Sequence, residues 1–437
     1  SWFSNLKLRA SYGMMGDDNL GGLYPDFAYL SGYTYYKGQS LMPDDPFSSV
    51  KSKKVIGSAP KGIPVTTISW MKIKLMNVGI DFGFFDNRLT GEFDLFKRMR
   101  DGIPGTPSDI MFPLETGLSA LPENMNSDMT VGFDAFVKWN DKVGDLKYSV
   151  GANITFARQK NGKRHGEIFG NAWDKYRWAQ SNRWSNVVLN TDQGNAGGVW
   201  MWEVIGRFET QEQIDSYPVD QDGQNNATVR PGDVILRDVN GDGIINDFDE
   251  RPQAYASADW PWDSSTSNKN PLISMGINLG FEWKGFDVAA DFAGGFKNTF
   301  VADWDLKWGV TRSVNGYYYN NIDVWRHEDI FDPKSPWIPG KFPALRGQES
   351  HSGRWWNSFY TRAVNYLRLR NLVVGYSLPK NWIRKVGMEQ CRIYFQGTNL
   401  FCLSSLHDYG FDPEISTVNG QDYPQHKVLT LGVNVKF

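Results

Sequence analysis

The sequence predicts an all-β protein, a transmembrane antiparallel β-barrel wall of about ten strands with long outer loops. Three observations predict it: period-2 alternation recurs along the chain, the strands are too long for a globular sheet, and short and long connections alternate strictly. Strands of globular proteins usually run about 5–6 residues, whereas membrane strands need about 9–11; here the alternating segments read as roughly 10–13 residues. Leu6, Leu8, Ala10 and Tyr12 alternate with Lys7, Arg9 and Ser11. Val78, Ile80, Phe82 and Phe84 precede a turn at Asp86-Asn87, and Leu89, Gly91, Phe93 and Leu95 return from it. Val131 to Trp139, Leu146 to Phe156, Ile273 to Trp283 and Phe286 to Phe292 repeat the pattern. Tyr366 to Leu378 is less regular, as a bulged strand would be. Ile393 to Gly397 and Leu429 to Phe437 complete the set.

The connections give the strands a direction. Short links fall at Phe85–Arg88, Asn140–Asp145, Lys284–Gly285 and Pro379–Gln390. Long ones fall at Met14–Met71, Met99–Asn126, Gln159–Asn270, Lys297–Asn365 and Cys402–His426. Outer-membrane barrels have short periplasmic turns and longer extracellular loops, so Phe437 is expected on the periplasmic side. The short link from Pro379 to Gly387 reads as a small helix with Trp382, Ile383 and Val386 on one apolar face. The stretch 159–270 is too long for a structureless loop, and is read as a large extracellular region with small elements of its own.

Composition narrows the function classes. The 437 residues carry a formal net charge of -3, which gives no polybasic signal for nucleic acid. Aromatics make up 15% of the chain and Gly contributes 44 residues, a mix that suits pleated surfaces and bends. Mean hydropathy is -0.47. No apolar run is long enough to span as a helix, but in a barrel only alternate residues face lipid. Cys391 and Cys402 provide no disulfide framework and no zinc cluster; two free, buried thiols are expected, with a bridge between them as the alternative. The chain begins Ser-Trp-Phe, already in a strand, so a preceding portion is expected.

The strongest local motif runs from Asp238 to Asp249. A calcium loop needs hard oxygen ligands at positions 1, 3 and 5, Gly at 6, a backbone carbonyl at 7, a ligand at 9 and a carboxylate at 12. Asp238, Asn240, Asp242, Gly243, Ile244, Asn246 and Asp249 fill those positions. Calcium is therefore the expected cofactor, in a loop-bracing role, with an Asx-rich turn that binds nothing as the alternative. Asp at position 12 shortens the bidentate reach, and Val234-Ile235-Leu236 before the loop reads as a strand where an EF-hand would have a helix. Trp355-Trp356 and Tyr317-Tyr318-Tyr319 are candidate stacking platforms for a ligand; packing of the loops on each other competes with that reading for each residue. No catalytic constellation emerges: His327-Glu328 lacks the second His of a zinc helix motif, and no G-x-S-x-G elbow occurs. The chain is not expected to be an enzyme.

Several segments, in order, resemble the SusC/RagA family of TonB-dependent outer-membrane transporters of Bacteroidota: Leu6 to Gly13, Asn77 to Gly91, Pro231-Gly-Asp-Val with the Asp238 loop, Asn365 to Pro379, Gln396-Gly-Thr-Asn-Leu-Phe401, and the terminal Phe437. The resemblance implies a 22-stranded barrel of which this chain is the C-terminal portion, with the plug domain and TonB box outside it. It further implies TonB-dependent import of glycans or peptides, a SusD-like lipoprotein lid over the outer mouth, TonB engaged through an N-terminal part, and contact with outer-membrane lipid. The competing reading is a calcium-stabilised surface or secreted glycan-binding protein without transport.

Overall fold

The computed structural model describes residues 2–18, 29–39, 55–60, 63–67, 69–105, 107, 113, 120–163, 172–173, 176, 199–254, 271–301, 323–344, 357–407, 411–414 and 425–437. Ten strands form one antiparallel wall: β1 (Phe3–Asp17), β2 (Met71–Phe84), β3 (Leu89–Gly105), β4 (Glu123–Val143), β5 (Leu146–Asn161), β6 (Ile273–Trp283), β7 (Phe286–Val301), β8 (Thr361–Ser377), β9 (Gln390–Thr398) and β10 (Val428–Lys436). Each pairs with its sequence neighbours, so the wall is a simple meander from β1 to β10. After Asn399, which turns with φ 53°, the β9 backbone resumes as Cys402–Ser404 and pairs with the outer half of β8. β1 bonds only to β2 and β10 only to β9, so among the described residues the wall does not close on itself.

The strands are longer than their apolar pattern. They run from 9 residues in β10 to 21 in β4, against the expected 10–13. At about 3.4 Å per residue, β4 reaches some 70 Å, far beyond an apolar belt about 25 Å tall. Backbone ladders continue where side chains turn polar, and an alternation test cannot see that continuation. Arg100 sits opposite Asp128 and donates to it in the outward extension of β3 and β4; Lys74 donates to Asp101 at 2.6 Å. The irregularity expected in Tyr366–Leu378 is a bulge. Asp291 and Phe292 of β7 face Asn371 and Leu369 of β8, leaving Arg370 as the extra residue.

The register joins the apolar residues into one face. Leu8, Ile80, Phe93, Ala135, Ile154 and Met275 lie directly opposite one another across β1 to β6. Leu279, Ala290, Leu372, Gly397 and Leu429 continue the face to β10. Leu6, Leu8, Val78, Leu95, Leu429, Leu431 and Val433 are exposed on it. A contiguous apolar surface of this extent marks a lipid-facing wall.

At the end with short turns, that face closes in aromatic residues. Trp2 stacks on Phe84 at 5.8 Å, Phe85 meets Trp139 at 5.9 Å, and Phe286 meets Tyr376 at 4.4 Å. Trp283 lies directly across from Phe286, and Phe437 follows at the end of β10. Aromatic girdles of this kind sit at membrane–water interfaces, where the ring is apolar and its rim wet.

The short link between β8 and β9 is a single helical turn, Lys380–Ile383, running into a 3-10 turn at Arg384–Val386. Gly387 ends it with φ 76°, the left-handed conformation that suits glycine. The expected single apolar face divides: Ile383 is buried, while Trp382 and Val386 are exposed. Cys391 and Cys402 are free thiols; Cys391 is buried as expected, whereas Cys402 is only partly buried.

Candidate functional site

The opposite face of the wall is polar, and its charges are arranged across strands. Arg9 on β1 donates to Asp81 on β2 at 2.8 Å and reaches over β2 to Asp94 on β3 at 2.8 Å. It crosses at Gly79, where any Cβ would overlap the Asp94 carboxylate. The device recurs at the other end of the wall. Arg392 on β9 reaches over β8 to Asp287 on β7, at 2.9 and 2.5 Å. It crosses at Gly375, where a Cβ would lie 2.5 to 2.7 Å from the guanidinium. A glycine in the middle strand thus opens the path for an ion pair spanning three strands. Gly375→Val is expected to break the Arg392–Asp287 pair and destabilise the wall by about 1–3 kcal/mol, the cost of over-packing. A lower dissociation temperature on heated gels checks it. Beside the second bridge, on β6 to β9, lie amide contacts: Asn278 donates to Asp291 at 2.7 Å, and Gln396 to Asn371 at 3.2 Å.

Farther out on β8, two arginines hold the last long connection. Arg368 donates to both oxygens of Asp412, at 2.6 and 2.7 Å, and Arg370 pairs with Glu414. Gln425 donates to the second Glu414 oxygen at 2.8 Å. Phe411 packs on Phe300 at 5.6 Å, within a cluster that buries Val364 and Leu406. Sequence reading missed this cluster. Tyr-Leu-Arg-Leu-Arg places two cations in an alternating strand, which was the available signal, but their partners lie 44 residues away.

The long connection between β5 and β6 carries a folded outer module. Val204–Arg207 pairs with Val234–Leu236, and Gln211–Asp215 forms a short helix whose start is capped by Thr210. Successive residues of a strand point to opposite faces, so Val234–Leu236 serves two small cores. Ile235 packs with Phe208, Ile214 and Val229, while Val234 and Leu236 pack with Ile245, Trp202, Val219 and Phe359. Gln221 is buried between them and bridges the strand, donating to the Val234 carbonyl and accepting from Leu236 N–H at 2.6 Å. The module is tied to the end of β8: Ser358 N–H donates to the Trp202 carbonyl, and Val204 N–H to Ser358 Oγ. At Pro231-Gly-Asp, Gly232 has φ 91° and Trp325 lies against it, where a Cβ would collide.

The Asp238–Asp249 loop hangs from this module. Asp238 accepts from Gly241 and Gly243 N–H at 2.6 and 2.8 Å. Asp242 accepts from Ile244 N–H at 3.0 Å and Asn240 Nδ2 at 2.8 Å; these donors hold its carboxyl below the ordinary range. Asn246 caps a 3-10 turn at Asp247–Asp249. Asp249 is fully buried and accepts from Val239 N–H and Asn246 N–H, both at 2.9 Å. Gly243 and Ile245 tie the loop to Asp220. All side-chain donors here are hard oxygens at calcium-loop spacing, so the donor chemistry fits a divalent cation. In the arrangement described, however, each carboxylate already accepts backbone N–H groups, and among the described residues no three His, Cys, Asp or Glu converge as a metal set.

A second Asx turn, not singled out from the sequence although Asp220-Gln-Asp222-Gly223 signals it, braces the module nearby. Burial pushes the Asp222 carboxyl up, but N–H donors from Thr228, Gln224 and Asn226 and the Thr228 hydroxyl outweigh it and hold it far below the ordinary range. A carboxylate with a depressed folded-state pKa stabilises above its unfolded value, about 4, and loses that contribution as pH falls through the folded value. Hydrogen-exchange protection of 220–229 should therefore exceed that of Asp222→Asn at neutral pH, by an amount undiminished down to about pH 4 and shrinking below it. Tyr317, Tyr318, Tyr319, Trp355 and Trp356 lie outside the described residues.

Comparisons with known proteins agree with this architecture. No family model matches the chain. The TonB-dependent receptor SusC of Bacteroides thetaiotaomicron is 23% identical over 446 residues, covering 99% of this chain and 38% of that protein. A TonB-dependent receptor of Formosa agariphila is 22% identical, covering 99% of this chain and 40% of its own length. The chain thus spans about two fifths of the curated relatives it matches. Two solved structures of the RagAB peptide transporter, one in its 'closed-closed' state, superpose with TM-scores of 0.61 and 0.62 at 20% and 19% identity, each covering all of this chain and 41% of theirs. With its lipid-facing wall, aromatic girdle and segregated loops, the chain has the architecture of an outer-membrane β-barrel wall and is similar along its length to SusC/RagA-type TonB-dependent receptors.

Proposed function

We propose that this chain forms the wall and outer loops of an active importer, one that takes large nutrients across the outer membrane with TonB as its energy source. The observation that carries the reading is the pairing of a continuous lipid-facing surface with a charged inner face, in a chain similar throughout to TonB-dependent receptors. Open strand edges are not tolerated in lipid, so β1 and β10 pair with further strands of a larger barrel. A SusD-like lipoprotein covers the outer mouth, and the cargo is a glycan or a peptide. Relatives named as receptors and transporters support carriage of cargo over its chemical conversion.

Two measurements test this. Heating a detergent-extracted sample of the protein expressed from its complete gene should shift its gel mobility; an unshifted band contradicts the barrel. A strain lacking the gene should then deplete either an oligopeptide mixture or an oligosaccharide mixture more slowly than wild type, and a protonophore should abolish the difference. Depletion that is equal in both strains for both mixtures defeats the import reading and returns a surface-binding protein without transport as the alternative.

The Asp238–Asp249 loop is proposed to hold a structural Ca²⁺ through Asp238, Asn240, Asp242, the Ile244 carbonyl, Asn246 and Asp249. The oxygen-only donor set supports this. Calorimetry should detect calcium binding that Asp242→Ala abolishes; identical isotherms for the two proteins would reject the site.

A further inference from the structure

We propose that the link between β8 and β9 is a binding site for anionic phospholipid headgroups of the periplasmic leaflet. Three observations converge on it.

The first is charge. The segment Lys380-Asn-Trp-Ile-Arg384-Lys385-Val-Gly carries three cations in six residues and no acid. Several other cations at this end of the wall have carboxylate partners: Arg88 with Asp141, Lys147 with Glu282, Lys284 with Asp145, and Lys436 with Glu389, whereas Lys142, among the described residues, stands alone. Among the described residues, Lys380, Arg384 and Lys385 have none.

The second is exposure. Trp382 is 66% exposed and Val386 63%, whereas Ile383 between them is 4% exposed and fastens the turn. The turn is well built: Trp382 N–H donates to the Pro379 carbonyl at 2.9 Å, and Met388 N–H returns to the Ile383 carbonyl at 3.2 Å. A turn with its backbone already fixed leaves only side-chain ordering to be lost on binding.

The third is position. The helical turn packs on β9. Cys391 shares the apolar face of β9 with Ile393 and Phe395; it is buried, while they are exposed. The turn thus lies over the periplasmic end of the lipid-facing side, continuous with the girdle of Trp2, Phe84, Trp139, Trp283 and Tyr376. Trp382 extends that girdle, and the three cations stand at headgroup level. Lys and Arg beside an interfacial Trp attract phosphodiester charge. Phosphatidylglycerol is the simplest such lipid.

The proposal rests on the outer-membrane placement of the wall and not on import. The complete protein is reconstituted in nanodiscs of equimolar phosphatidylglycerol and phosphatidylethanolamine, re-extracted, and its retained lipids counted by native mass spectrometry. The wild type should retain phosphatidylglycerol preferentially. Lys380→Gln, Arg384→Gln and Lys385→Gln should each lower that preference, by up to about fivefold per cation at low salt, and together abolish it. Trp382→Ala with Val386→Ser should lower total retained lipid while keeping the preference. An unchanged ratio in the triple variant, with the heat-dependent gel shift intact, would overturn the lipid assignment and point to an acidic protein surface instead. Loss of the ratio with uptake intact supports the site, whereas a wild type that shows the ratio but no gene-dependent uptake counts against the import reading alone.

Discussion

Replacing Arg368 with Met should release the last outer connection from the wall. The Arg368 side chain is only 5% exposed, and it answers two carboxylates: both oxygens of Asp412, and Glu414 with its Oε2 3.2 Å from Nε. Without it, Asp412 and Glu414 face each other with Arg370 alone. Breaking a buried pair by removing one partner typically costs about 3–5 kcal/mol, because the remaining charge stays desolvated. The Asp412–Glu414 stretch can avoid that cost by leaving, since among the described residues 411–414 the remaining contact with the Phe300 cluster is that of Phe411. Limited proteolysis should therefore cut within 402–428 far faster in Arg368→Met, with the gel shift of the barrel preserved. Combining it with Asp412→Asn and Glu414→Gln should restore most of the protection, since removing both charged partners is far milder than removing one. Equal cutting rates in wild type and Arg368→Met would show that these charges do not hold the connection.

Phe208→Ala should unfold the outer module while leaving the wall intact. Phe208 is completely buried and meets Tyr217 edge-on at 5.1 Å. Truncating a buried Phe to Ala costs about 3–5 kcal/mol through lost burial and the cavity left behind. A unit of this size has little stability in reserve. The loss would spread, because Val234–Leu236 places Ile235 in the Phe208 core and its two neighbours in the other. The Asp238–Asp249 loop leaves that strand two residues later and would lose its shape with it. Hydrogen exchange across 208–250 should rise to unprotected rates, with amides of β4 and β5 unchanged. Retained protection in that stretch would mean that the second core stabilises the module by itself.

The alternation of Leu6, Leu8 and Ala10, of Val78, Ile80 and Phe82, and of Leu429, Leu431 and Val433 determined the strands, their faces and the membrane as solvent. A period of two admits one geometry, and only lipid leaves such a face uncovered. Asp86-Asn87 and Lys284-Gly285 marked turns because Asp, Asn and Gly tolerate left-handed backbone, which Asp86, Asn87 and Gly285 adopt at φ 56°, 61° and 88°, with Lys284 drawn into it at 46° beside Gly285. The oxygen spacing from Asp238 to Asp249 was legible for the same reason: a tight loop brings ligands together through local sequence alone. The outward extension of β3 and β4 was not legible, because backbone pairing carries it through residues such as Arg98, Arg100 and Asp128 that break the apolar pattern. Nor were the contacts that make the polar face specific. Arg9 with Asp94, Arg392 with Asp287 over Gly375, and Arg368 with Asp412 join residues 85, 105 and 44 positions apart. Register and the bulge at Arg370 decide those pairings, and a register is a property of two strands together. The sequence by itself determined that this protein is a lipid-facing antiparallel wall with its turns at one end and its loops at the other. Only the tertiary structure decided which charges meet across it, because a side chain's neighbour on the next strand is chosen by hydrogen-bond register and not by its own sequence context.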